Sequence, residues 1–180
     1  MKRYLNLLLI FISFTLIFSS CQNKKSAKKG QNLIGMANPM RESTNQQIYE
    51  KFSLSFNIPS ESEDEKFFII QDKVAQFSFS WHSLECISRF APGAEMADIS
   101  GLYYDWEKNY SEIIDGKEIY VRYVMTSGGD IISSSHFFDE VNKINYSFSI
   151  SVIGIGPGDI DDVGELCKKL ALQCWQIKIE

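Results

Sequence analysis

Ile144-Asn145-Tyr146-Ser147-Phe148-Ser149-Ile150-Ser151-Val152 decides the fold. Large apolar side chains recur at every second position, with asparagine or serine between them. Side chains along a strand point alternately to its two faces, so the stretch predicts a strand with one apolar and one small polar face. Such a strand belongs in an antiparallel sheet that lays one face on a core.

The same period recurs upstream. Ala75, Phe77, Phe79 and Trp81 alternate with Gln76, Ser78 and Ser80, and Phe67–Gln71 precedes them across a turn at Asp72-Lys73. Leu84–Phe90 follows His82-Ser83 and stops at Ala91-Pro92-Gly93. Glu112–Ile114 and Lys117–Met125 bracket Asp115-Gly116, a pair suited to the positive φ angles of a two-residue hairpin turn. Ser127-Gly128-Gly129-Asp130 then turns into Ile131–Phe138.

Helices bound these strands. Ser43 and Thr44 precede Gln46 and Gln47, a Ser-x-x-Gln capping-box pattern, and Ile48 and Phe52 are four apart, so a short helix is expected over 43–52. Residues 53–58 alternate until Pro59, and an acidic loop is expected over 60–65. At the other end Asp159, Asp161 and Asp162 place negative charge where a helix amino terminus favours it. Val163, Leu166, Cys167, Leu170 and Cys174 then form one apolar stripe. The expectation is an α+β architecture: a curved antiparallel β-meander sheet of about six to seven strands, packed by an N-terminal and a C-terminal helix.

The first 32 residues read differently. Lys2 and Arg3 precede a mostly apolar run of 14 residues from Leu5 to Phe18, and Ser19-Ser20-Cys21 follows. This is the layout of a secretory signal peptide, and the run is shorter than the roughly 20 residues a membrane helix needs. A cysteine directly after small residues resembles the bacterial lipoprotein signal, which implies cleavage before Cys21 and lipid on its thiol. Residues 22–32 hold four lysines and no large apolar side chain, as in a flexible tether. The expected organisation is a signal peptide over 1–20, a lipidated cysteine and tether over 21–32, and one domain over 33–180.

Six of the 18 basic residues precede Leu33, which leaves 12 against 23 acids in that domain. No basic stripe is present to follow a phosphate backbone, so nucleic acid is excluded as a partner. Aromatic residues make up 13% of the chain, in keeping with a β-rich core.

The chemistry-bearing residues are few. His82 and Cys86 are four apart and could seed a metal site, but nothing nearby supplies further ligands, and structural zinc wants four. A calcium loop starting at Asp159 would put Val163 at its fifth position and Leu170 at its twelfth, where oxygen is needed. Helix capping, with Asp162 and Glu165 as a capping box, accounts for that cluster. Gly154-Ile155-Gly156-Pro157-Gly158 lacks the spacing and the lysine of a phosphate loop, and Pro157 has no N–H to donate. No Gly-x-Ser-x-Gly is present, and no catalytic residue, metal ligand or cofactor is assigned. Cys167 and Cys174, seven apart on a helix, are about 10.5 Å apart along its axis, beyond disulfide reach. Cys86 could pair with either, or all three could be buried free thiols. Tyr103, Tyr104, Trp106 and Tyr110 lie among Asp105, Glu107 and Lys108 without clean alternation, as in a recognition surface, with core packing or a sheet-edge cover as the other reading.

Three stretches in order carry a resemblance. Gly35-Met36-Ala37-Asn38-Pro39-Met40 precedes the first helix. Asp98-Ile99-Ser100-Gly101-Leu102-Tyr103-Tyr104 follows Arg89-Phe90-Ala91-Pro92-Gly93. Tyr146-Ser147-Phe148-Ser149-Ile150-Ser151 leads to the terminal helix. Over about residues 33–172 the chain resembles a family of bacterial envelope domains, often anchored lipoproteins, with a GMxNP…DISGxY…YSxSIS layout. Ala37 stands where that family usually has proline. At fold level the element order is similar to that of PsbP-like envelope domains. The resemblance implies a cell-envelope location and a fold, and no catalytic residues. The functional expectation is a non-enzymatic, membrane-anchored module that binds a protein or ligand. The alternative is a carrier holding a small hydrophobic ligand under the sheet.

Overall fold

Thr44 starts the expected helix. Its hydroxyl accepts from the Gln47 N–H at 3.1 Å, and the Gln47 carboxamide oxygen accepts from the Thr44 N–H at 3.1 Å. This reciprocal cap satisfies two amides that the helix cannot bond itself. A computed structural model describes residues 40–82, 84–153 and 160–176, with the backbone alone at 160 and 161. The segments over 1–20 and 21–32, with Cys21, lie outside the described residues, as do the Gly154–Gly158 loop and Asp159.

The elements in chain order are β1 (Met40–Ser43), α1 (Asn45–Phe52), β2 (Ser62–Ile70), β3 (Val74–Trp81), β4 (Leu84–Pro92), β5 (Lys108–Ile114), β6 (Lys117–Met125), β7 (Ile131–Asp139), β8 (Ile144–Val152) and α2 (Ile160–Cys174). The strands form one open, curved antiparallel sheet in the order β1-β2-β3-β4-β8-β7-β6-β5.

The α+β architecture stands, but the strand number is eight rather than six to seven. The added strand is β1, whose four residues are too short to show a period. The sheet is also two four-stranded meanders, β1–β4 and β5–β8, joined where β4 pairs with β8. Three expected loops or breaks differ. The acidic run over 60–65 enters β2, with a register shift between Glu63 and Lys66. Residues 53–58 form no strand. Instead Phe56 is buried there, with its N–H and C=O both bonded by the Asn45 side chain. Asp162 lies inside α2 rather than capping it.

Local turns explain the pairing. Asp115 and Gly116 both take positive φ, 48° and 69°, the pattern of the hairpin turn that matches strand twist. Between β2 and β3 the positive φ values fall at Gln71 and Asp72, and the Lys73 N–H donates to the Ile70 carbonyl at 3.0 Å.

One face of the sheet carries Phe77, Phe79, Cys86, Phe90, Phe148, Ile150, Ile119 and Val121, all buried beneath α1 and α2. Phenylalanine rings fill that layer. Phe56 lies 4.7 Å from Phe90, Phe67 stacks at 4.7 Å on Phe77, and Phe77 stacks at 4.6 Å on Phe79. Val163, Cys167, Leu170 and Cys174 complete it from α2. Gly164 lets that helix approach β6, because a Cβ there would stand 2.9 Å from the Tyr123 ring. No helix among the described residues is long and apolar enough to cross a membrane.

Candidate functional site

The middle of the second face of the sheet is buried too. Asn145, Ser147 and Ser149 of β8 are 3%, 2% and 8% exposed, and Ser134 of β7 is fully buried. The cover is the connection between the two meanders. Residues 93–107 leave β4 at Pro92, cross β8, β7 and β6, and reach β5 at Lys108 as a strap of fifteen residues. The small serines let its backbone lie close to the sheet.

Three side chains hold the strap down. Arg89 of β4 donates through Nε to the Gln76 side chain at 2.8 Å. Its Nη1 donates to the Ile99 carbonyl at 3.2 Å and to the Ser100 carbonyl. Asn145 donates to the Glu95 carbonyl at 3.1 Å and accepts from the Ala97 N–H at 2.7 Å. Arg122 of β6 donates to Asp98 at 2.5 Å and to the Ser100 hydroxyl at 3.0 Å. Gly101 takes φ 69°, and any Cβ there would stand 2.9 Å from Arg89 Nη1. Both features favour glycine at this position.

Charge at the clamp is settled by geometry. Burial alone would push the Asp98 carboxyl up, but the hydrogen bonds from Arg122 and Ser100 outweigh it and hold its pKa below the usual value. His136, stacked on Tyr120 at 5.1 Å, is pushed down to about 4, first by burial and then by Arg122. It is therefore neutral at pH 7. His136 Nδ1, Ser134 Oγ and Arg122 Nε are buried without a protein hydrogen-bond partner. Arg122 pairs directly with Ser134 across β6 and β7, and His136 is two residues further along.

The strap's far half forms the aromatic edge. Arg122 lies 4.4 Å over the Trp106 ring, and Tyr104 meets that ring in a T-shaped contact at 5.6 Å. Tyr103 is 95% exposed and Tyr104 41%. Asp98, Leu102, Tyr103, Tyr104, Asp105, Trp106 and Arg122 line an open pocket of about 450 Å³.

Of the four aromatics singled out in the sequence, Tyr103, Tyr104 and Trp106 come together. Tyr110 does not join them. It lies on the helix-covered face, where its hydroxyl donates to Glu165 of α2 at 2.7 Å. The alternation of β5 turns it away from the strap. Arg89, Asp98 and Arg122 were missed as site residues. Arg89 and Asp98 stood within stretches noted for other reasons, and no local period links them to Arg122.

His82 and Cys86 are also separated. The strand breaks at His82, which takes φ 47° in the β3–β4 turn and pairs with Glu61 at 2.7 Å. Cys86 is buried in the core, and Cys86, Cys167 and Cys174 are all free thiols. Burial pushes Cys86 up to about 12 and Cys167 up to about 11, so neither is a ready nucleophile. Among the described residues no group of three or more His, Cys, Asp or Glu could hold a metal ion.

Of the three stretches behind the family resemblance, residues 35–39 of the first lie outside the described residues, and the other two meet here. Arg89 and Ser147 lie directly opposite one another on β4 and β8, and Asp98–Tyr104 is the part of the strap above them. No family model, curated protein or solved structure matches this chain.

Proposed function

We propose that this chain is a lipid-anchored domain of the bacterial cell envelope that acts without catalysis, recognising a partner through the edge formed by Tyr103, Tyr104 and Trp106. One observation carries this reading. Exposed aromatic side chains sit on a segment that is fixed to the sheet by Arg89, Asn145 and the Asp98–Arg122 pair. A rigid support lowers the ordering cost of binding, and rigid aromatic anchors are what interfaces use most. The anchoring half of the proposal rests on the signal-like segment ending at Cys21. The carrier alternative has less support, because phenylalanine rings occupy the layer beneath the helices.

The test places a photo-reactive phenylalanine analogue at Tyr103 of the full chain in its own host. A discrete crosslinked protein that disappears on Tyr104→Ala, with unchanged melting, is the expected result. Absence of a discrete product, or one indifferent to Tyr104→Ala, contradicts the reading. Cys21→Ser should separately release the chain from the membrane fraction.

A further inference from the structure

Resting on that reading, we infer that the strap edge recognises a cationic side chain, an arginine or lysine presented by a protein partner. The strap holds four carboxylates, Glu95, Asp98, Asp105 and Glu107, and no lysine or arginine. Asp98 is neutralised by Arg122, so that pair offers a ligand little net charge. Asp105 is exposed in the same pocket as Tyr103, Tyr104 and Trp106. Three aromatic rings beside a carboxylate favour a cation, which is drawn to the negative ring faces and to the carboxylate together.

The Trp106 ring already carries one cation, the Arg122 guanidinium at 4.4 Å. An anionic ligand fits poorly, because the pocket's one cation is committed to Asp98 and its side chain is only 12% exposed. The excess of acids across the domain would draw a basic partner toward this surface. A protein side chain is favoured over a free amine because the pocket is open and Tyr103 stands almost fully exposed at its rim. Such a surface buries little of a small ligand but suits one residue of a larger interface.

The experiment titrates the full chain, in a neutral maltoside detergent, with a peptide of alternating glycine and arginine, and follows amide shifts. The expected result is saturable binding with shifts confined to residues 98–107 and Arg122. Asp105→Asn and Tyr104→Ala should each weaken it about two- to fivefold, the range of an exposed cation–π or paired-charge contact. Shifts spread over all acidic surfaces, or affinity unchanged in both variants, overturn the inference. Competition by tetramethylammonium at equal concentration also overturns it, in favour of a free ammonium ligand. If the Tyr103 crosslink persists and still needs Tyr104 while the arginine peptide fails, the recognition edge stands and its cationic partner falls.

Discussion

The helix-covered face of the sheet and the middle of its other face are both buried, yet different physics buries them. Beneath the helices, close-packed rings and aliphatic groups exclude water, with the fully buried serines Ser88, Ser133 and Ser135 set among them. Beneath the strap lie serines, an asparagine, a neutral histidine and two arginines, of which the asparagine and the arginines join the strap by directed hydrogen bonds. Apolar burial is non-directional and tolerates small shifts in position. Hydrogen-bonded closure fixes one arrangement, since an unmet buried donor or carbonyl costs about 1–3 kcal/mol. The first face accounts for folding. The second positions the aromatic edge to a single geometry, as the proposed recognition role requires.

The largest expected effect lies on the helix-covered face. Phe77→Ala removes a fully buried ring that touches Phe56, Phe67 and Phe79. It should cost about 3–5 kcal/mol in denaturant unfolding. A loss below about 1 kcal/mol would mean that this face is not packed as described.

On the strap-covered face, His136 should impose an acid limb on stability. The unfolded imidazole takes a proton near pH 6.5, whereas the folded one resists until about pH 4. The unfolded state therefore binds more protons in that window, and stability falls as pH drops from 6.5 toward 4, by at most about 3 kcal/mol. His136→Phe keeps a ring over Tyr120 and should flatten that limb in melts taken across the range. An unaltered limb would place its origin elsewhere.

Arg89→Met keeps the length of the stem but strips the Ile99 and Ser100 carbonyls and Gln76 of their donor. About 2 kcal/mol should be lost, with new protease cleavage confined to 93–107. Cleavage spread over the chain would show that the strap is not a separable cover. The smallest effect belongs to Tyr103→Ala. An almost fully exposed side chain should change stability by less than about 0.5 kcal/mol, and a larger loss would mark Tyr103 as a packing residue rather than a free edge.

This contrast also separates what the sequence made legible from what it did not. The strands with clean alternation, β3 and β8, were readable, as were the Asp115-Gly116 hairpin and, one residue out, the capping box of α1, because each is encoded within a few neighbouring residues. The strap was not readable. Residues 93–107 have no period, and their structure depends on Arg89, Asn145 and Arg122, which lie far apart in the chain. The serine face of β8 looks solvent-facing by alternation alone. Its one available signal was the lack of charge: Asn145, Ser147, Ser149 and Ser151 include no lysine or glutamate, which an exposed strand face in so acidic a domain would be expected to carry. The aromatic edge was legible as a cluster in sequence. Tyr110 was wrongly grouped with it, because proximity along the chain does not say which face of β5 a side chain takes.

The most direct test of the account is amide hydrogen exchange of the full chain and its Arg89→Met variant, read at Ala97, Ser100, Leu102 and Glu107. These four N–H groups bond to Asn145, Asp98, the Ser100 hydroxyl and the Tyr123 carbonyl. The account predicts protection in the parent chain and a loss of about tenfold or more in the variant, with β3 and β8 unchanged, since local opening leaves the core intact. Strap amides that already exchange at the solvent rate in the parent, or that keep their protection without Arg89, would contradict it.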